Sequence, residues 1–190
     1  MGAWIYMVPV TEATGAVKEM YEKVKTPHGT VDNVMRAHSL RPHTMEGHLA
    51  LYRSVLHHPG NALPLWFLEC AATATSLLNR CDYSFRHHWS NARKLLGDDV
   101  RAAQILDALR EERPDRVFSG RELALIRYAQ KLTRSPGAMT RADVQACRDA
   151  GADDGEILEV NQVCAYFNYS NRLLNGLGVD TEGDVVGYYS

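Results

Sequence analysis

No apolar run in this chain reaches the roughly 18 residues that a helical membrane span needs, so no membrane partner is expected. No block of arginine or lysine makes a phosphate-binding stripe, and the formal net charge is only −2, so a nucleic-acid partner is not expected either. Sustained period-two alternation of apolar and polar residues is missing, which leaves no candidate strand. A Gly/Ser-rich linker and a repeat of solenoid period are also missing. The four cysteines, Cys70, Cys81, Cys147 and Cys164, lack the paired spacing of a zinc ribbon or a disulfide scaffold, and free thiols are expected. The opening Met1-Gly-Ala-Trp-Ile-Tyr6 has neither the basic start nor the long apolar stretch of a signal peptide, and Tyr6 stands where a myristoylation motif wants Ser or Thr. A cytoplasmic address is therefore the expectation.

What is present is helical patterning. The composition, 45% hydrophobic and 23% charged over 190 residues, suits one soluble domain spanning 1–190 with a substantial core. Thr11 is placed to cap a helix over 11–25, followed by a short helix at 31–40 that stops before Pro42 and a longer one ending at His57. The segment 63–78 is the most apolar, with Pro64 at its start, and Asn79-Arg80 separates it from a helix over 81–96 that Gly97 ends. Further helices are expected at 98–110, at 119–133 behind a Ser119/Glu122 capping box, at 140–151, and at 153–175 behind an Asp153/Glu156 capping box. One all-α domain is the reading. Because 63–78 is apolar on nearly every side, it belongs inside the fold or in a subunit interface, with Trp66 and Phe67 as the natural anchors of a homo-oligomer.

Four residues stand out against this background. Glu69 is the sole ionisable carboxylate within 63–78, and burying it requires a hydrogen-bonding partner or a proton. Cys81 falls where the next helix starts, so helix-terminal N–H groups, with Arg80 and Arg86 nearby, favour its thiolate. Ser84 and His88 follow at helical spacing on the same face as Cys81, and His88 is placed to act as a base toward Ser84. His87 points about a quarter turn away and reads as a solvent or interface residue. The eight histidines suggest a metal, but His57-His58 and His87-His88 are adjacent pairs rather than one-turn pairs, and Cys81 with His88 gives two ligands where a closed zinc site needs four. No metal and no cofactor are assigned.

The resulting pattern, Glu-x11-Cys-x2-Ser-x3-His, resembles the redox signature of the AhpD-like, carboxymuconolactone decarboxylase superfamily, in particular its peroxidase-related alkylhydroperoxidase branch. The resemblance extends to Leu63-Pro64, to Glu122-Leu-Ala-Leu-Ile-Arg-Tyr-Ala-Gln-Lys-Leu-Thr133, to Tyr166-Phe-Asn168 with Asn171-Arg172, and to Leu177-Gly-Val179. It implies an all-helical fold, assembly into dimers, trimers or hexamers, and a glutamate, a histidine and a water that relay protons to a cysteine pair reducing hydroperoxides. Glu69, Cys81 and His88 match that pattern, whereas Ser84 replaces the second cysteine.

Three functions follow as expectations. The first is an oxidoreductase in which the Cys81 thiolate attacks a hydroperoxide, a Glu69/His88 relay moves the proton, and an external thiol reductant (or Cys70 or Cys164) restores the sulfur. The second is a non-redox lyase or hydrolase of a small organic acid or lactone, with His88 and Glu69 as acid and base and Ser84 or Cys81 orienting the substrate. The third is a binding oligomer without chemistry. The first is ranked ahead because Cys81 remains at the helix start.

Overall fold

The computed structural model describes residues 2–189. Their regular structure is helical throughout: α1 (Gly15–Lys23), α2 (Asn33–Arg36), α3 (Pro42–Leu56), α4 (Leu65–Leu78), α5 (Asp82–Leu96), α6 (Asp99–Arg110), α7 (Gly120–Arg134), α8 (Arg141–Asp149) and α9 (Asp154–Leu177). No strand occurs among the described residues, and none of their helices is long and apolar enough to cross a membrane.

Local chemistry sets the ends of these helices, and in three places it departs from the sequence expectation. Thr11 does not cap α1. It lies in a short 3-10 turn, Val10–Glu12, and the helix starts after Thr14 because Gly15, at φ +52°, breaks any continuous path from residue 11. The helix expected at 31–40 closes only over Asn33–Arg36 and continues as single turns, His38 N–H to Met35 O and Ser39 N–H to Arg36 O. At α7 the Ser119 side chain makes no capping bond, since Gly120 follows it at φ +48° and turns the first helical amides away. The Asp153/Glu156 box does form, with Glu156 N–H to Asp153 Oδ1 at 2.8 Å and Asp153 N–H to Glu156 Oε2 at 3.1 Å. Gly97 and Gly178 end α5 and α9 in the left-handed conformation that glycine adopts without a Cβ clash.

Helix α4 is the axis of the molecule. Every residue from Phe67 to Ser76 is buried, and α3, α5, α6, α7 and α9 pack around it. Small side chains at Ala71, Ala72 and Ala74 let these neighbours come close. Thr73, Thr75 and Ser76 satisfy their hydroxyls on the carbonyls of Glu69, Ala71 and Ala72, at 2.7, 3.0 and 2.8 Å. The middle of 63–78 is thus covered by the chain itself, while Leu65, Trp66, Leu77 and Leu78 at its two ends are only partly buried. Phe67, expected as an interface anchor, is a fully buried core residue against Trp66 and Phe118. Trp66 is half-buried under the Arg101 guanidinium, 4.9 Å from the ring centre.

The segment after α9 turns back over the first half of the chain. Trp4 N–H bonds to Leu177 O at 2.8 Å, and the Trp4 ring lies so close to Gly178 that a Cβ there would sit 2.1 Å from it. Further along, Asp184 accepts from the Asn33 N–H at 3.1 Å, and the Tyr188 N–H donates to Asn91 Oδ1 at 2.7 Å. Replacing Phe67 by alanine is expected to cost about 3–5 kcal/mol of unfolding free energy, measured by urea denaturation, because the site cannot collapse inside a helix packed on all sides.

Candidate active site

The site grows from the α4–α5 pair. Glu69, with no solvent exposure, holds His88 on α5: its Oε2 lies 2.7 Å from His88 Nδ1, while Oε1 accepts from Asn91 Nδ2 at 3.0 Å. The carboxylate expected to need partners has two. A hydrogen on Nδ1 directed at Glu69 leaves Nε2 as the basic nitrogen of the neutral ring. Phe167 and Tyr52 pack edge-on against that ring, at 4.5 and 6.2 Å between centroids.

His88 faces a cavity of about 30 Å³, room for roughly one or two ordered waters. Ser84, Tyr166, His48, Tyr52 and Tyr188 share its wall. An outer pocket of about 470 Å³, lined by Arg53, His57, His58 and Tyr189, shares Met35, Tyr52 and Tyr188 with this cavity.

Ser84 is buried and its Oγ lies 2.8 Å from Ser76 Oγ. Ser76 gives its own proton to Ala72 O, so the Ser84 hydroxyl is the donor of the pair. The expected Ser84–His88 hydrogen bond is not among the bonds of this structure, so Ser84 is held as a wall residue rather than as an activated nucleophile.

Cys81 departs from expectation in its environment. It is the N-cap of α5, and the Ser84 N–H does lower its pKa, but burial outweighs this and pushes the thiol up to about 11. Its side chain packs among Ala3, Met7, Ala37, Tyr83, Leu174 and Val179 and does not line the cavity. Arg80 is exposed, and the Arg86 charge is taken by Asp82 at 2.9 Å, so neither supplies the field the sequence suggested. All four cysteines are free and buried. Cys70 and Cys164 belong to the main core, a separate cluster from that of Cys81, which leaves no adjacent thiol to close a disulfide with it.

His87 is also corrected. It is buried in the cavity wall, stacked on Tyr83 at 4.7 Å, with Gly187 N–H directed at its Nδ1 at 3.5 Å. Its Nε2 stands 3.7 Å from Asp184 Oδ2 and has no hydrogen-bond partner, and neither does Asp32 Oδ1 nearby. Asp32 Oδ2 accepts from Tyr188 Oη at 2.9 Å, Asp184 Oδ2 from Tyr83 Oη at 2.6 Å, and burial raises the Asp32 carboxyl above its usual range. These residues, together with His48, Tyr52 and Tyr188, were not singled out from sequence. Their spacing along the chain carries no motif, because the fold gathers them from α3, the α2 region and the C-terminal segment. No group of three or more His, Cys, Asp or Glu side chains among the described residues is arranged to hold a metal ion.

No protein-family model matches the sequence, and no curated protein matches it. Solved structures do match. An uncharacterized peroxidase-related protein from Ralstonia eutropha JMP134, described as an alkylhydroperoxidase AhpD core, superposes with a TM-score of 0.82 at 21% identity, covering 95% of this chain and 93% of that one. The fold is the AhpD fold. A peroxidase-related protein from Silicibacter sp. TM1040 gives a TM-score of 0.79 at 21% identity, over 96% of this chain and 95% of that one. The debrominase Bmp8 shares the AhpD fold more distantly, at a TM-score of 0.67 and 15% identity over 88% of this chain and 85% of its own. Bmp8 is also solved as a cysteine-to-alanine variant in complex with 2,3,4-tribromopyrrole.

Two measurements follow from the site. Carboxymethylation of Cys81 in the folded protein is expected to keep accelerating above pH 9, with its midpoint near the raised thiol value. A plateau by about pH 8.5, the ordinary cysteine range, would contradict the burial argument. The second concerns His48, whose pKa burial lowers to about 3. The unfolded ring takes up a proton below about pH 6.5 and the folded ring refuses it, so stability is full above 6.5 and falls as the pH drops toward 3. From pH 7 to pH 5 this group alone should remove about 2 kcal/mol from the urea-derived stability, and a profile flat over that interval would refute it.

Proposed function

We propose that this protein is an enzyme of the AhpD-like, peroxidase-related type whose working centre is the Glu69–His88 dyad. His88 exchanges a proton with a small molecule, a hydroperoxide or an organic acid, that enters from the outer pocket past Tyr52 and Tyr188. The observation that carries this reading is the 2.7 Å contact between a fully buried Glu69 and Nδ1 of His88, which itself lines the cavity. A carboxylate is costly to keep in a helix core, and here it fixes one imidazole in one tautomer with Nε2 left as base. Glu69 and Asn91 hold the ring, Ser84 and the tyrosines shape the space, and the substrate's proton moves to or from Nε2.

A second reading keeps the thiol in the reaction. It is favoured by the position of Cys81 at the N-cap of α5, three residues before Ser84, and by the peroxidase-related and debrominase proteins that share the fold. In it the Cys81 sulfur, once uncovered and deprotonated, attacks the outer hydroperoxide oxygen. His88 Nε2 takes the thiol proton, the O–O bond breaks to give a sulfenic acid and an alkoxide that regains this proton from His88 as the alcohol, and an external thiol reduces the sulfenic acid to thiol while being oxidised to a disulfide. The covered, raised thiol places this reading second.

The deciding experiment assays hydroperoxides with added thiol, and small organic acids and lactones, against His88→Ala and Cys81→Ala. Loss of about 10²-fold or more in His88→Ala with activity kept in Cys81→Ala is the expected result. Equal loss in both variants on a hydroperoxide would install the thiol reading in its place, and full activity in His88→Ala would remove the dyad from the mechanism.

A further inference from the structure

A second line of polar groups leaves the same cavity. Tyr166 and His48 both line the cavity. The Tyr166 hydroxyl lies 2.7 Å from His48 Nε2, His48 Nδ1 lies 3.0 Å from His38 Nε2, and His38 Nδ1 lies 2.8 Å from Thr44 Oγ1. His48 and His38 are buried, whereas Thr44 is at the surface. The chain of contacts therefore runs unbroken from the cavity to a residue at the surface.

The direction of every bond in it can be assigned. Thr44 donates its single hydroxyl proton to Arg41 O at 2.8 Å, so toward His38 it can only accept. His38 must then carry its hydrogen on Nδ1 and accept at Nε2. That requires His48 to carry its hydrogen on Nδ1 and accept at Nε2, and so Tyr166 donates. All donors point outward, from cavity to surface. Burial holds both imidazoles in the neutral form this accounting needs, since it lowers the pKa of each.

We propose that Tyr166, His48, His38 and Thr44 form a proton wire that connects the cavity to the protein surface beside Thr44. As Tyr166 receives a proton from the cavity, it passes its own to His48 Nε2. The His48 Nδ1 proton moves to His38 Nε2, and the His38 Nδ1 proton moves to Thr44 Oγ1 as the Thr44 hydroxyl proton breaks its bond to Arg41 O and passes to solvent. No electrons are transferred, and each group ends neutral with its hydrogen on the opposite side. The wire is then set to carry the next proton inward, which matches a centre that removes a proton and later returns one. The use of the wire rests on proton transfer at His88, but its existence does not, and it is tested without substrate.

The test is ¹⁵N NMR on the full chain with labelled histidine. In the unaltered protein, His38 and His48 should both show hydrogen on Nδ1 and a bare Nε2, and a proton on Nε2 of either resting ring overturns the proposal. The exchange rate of the His48 Nδ1 hydrogen with solvent is then compared with that in His38→Gln. This variant can hold both hydrogen bonds through its amide but does not hand a proton across. Exchange should fall by about tenfold or more, while backbone amides of residues 47–49 keep their rates, which separates the wire from local opening of α3. An unchanged His48 exchange rate in a folded His38→Gln overturns the proposal. If that variant does not fold, the tautomers of the unaltered protein decide. None of these readouts depends on which substrate His88 serves, so the wire and the dyad fail or stand separately.

Discussion

A carboxyl group buried inside a helix core is the constraint around which this protein is arranged. Placing Glu69 in the middle of α4 obliges the neighbouring helix to present donors at fixed positions, and α5 does so with His88 and Asn91, three residues apart on one face. Asn91 then has its carbonyl oxygen left for the Tyr188 backbone, which draws the C-terminal segment across the cavity. One carboxylate thus sets the register of α4 against α5, the tautomer of the histidine and the position of a distant strap.

Cys81 illustrates two effects that compete at one atom. The start of a helix stabilises a thiolate, and the sequence makes that start easy to find. Removal from water destabilises it, and whether Ala3, Met7, Leu174 and Val179 will cover the sulfur cannot be read from residues 81–88. Here the second effect is larger. The same spacing that in a dithiol would bring two sulfurs together instead leaves one covered thiol and one serine bonded to Ser76.

The helical architecture and the Glu69–His88 pair were legible because each is written in local spacing: apolar periodicity, glycine stops, an isolated carboxylate and a histidine in register on the next helix. The far wall of the cavity was not. Asp32, His48, Tyr166 and Tyr188 come from well-separated parts of the chain, and nothing local marks them as partners. His87 was misplaced for the same reason. Helical geometry correctly turns it away from His88, but what it turns toward, Asp184 and Gly187, lies about a hundred residues further along. The failed Ser119 cap had a simpler cause, a left-handed glycine in the position after it.

The strap of residues 184–188 bears on the order in which the molecule is built. Its bonds to Asn33 and Asp32 join positions separated by 151 and 156 residues, whereas α4 meets α5 across a short turn. Closing the larger loop costs more chain entropy and is rewarded only once both ends have a surface to dock on. The helices packed around α4 supply the surfaces on which the strap docks, so the wall of the cavity depends on the core while the core is held by its own packing.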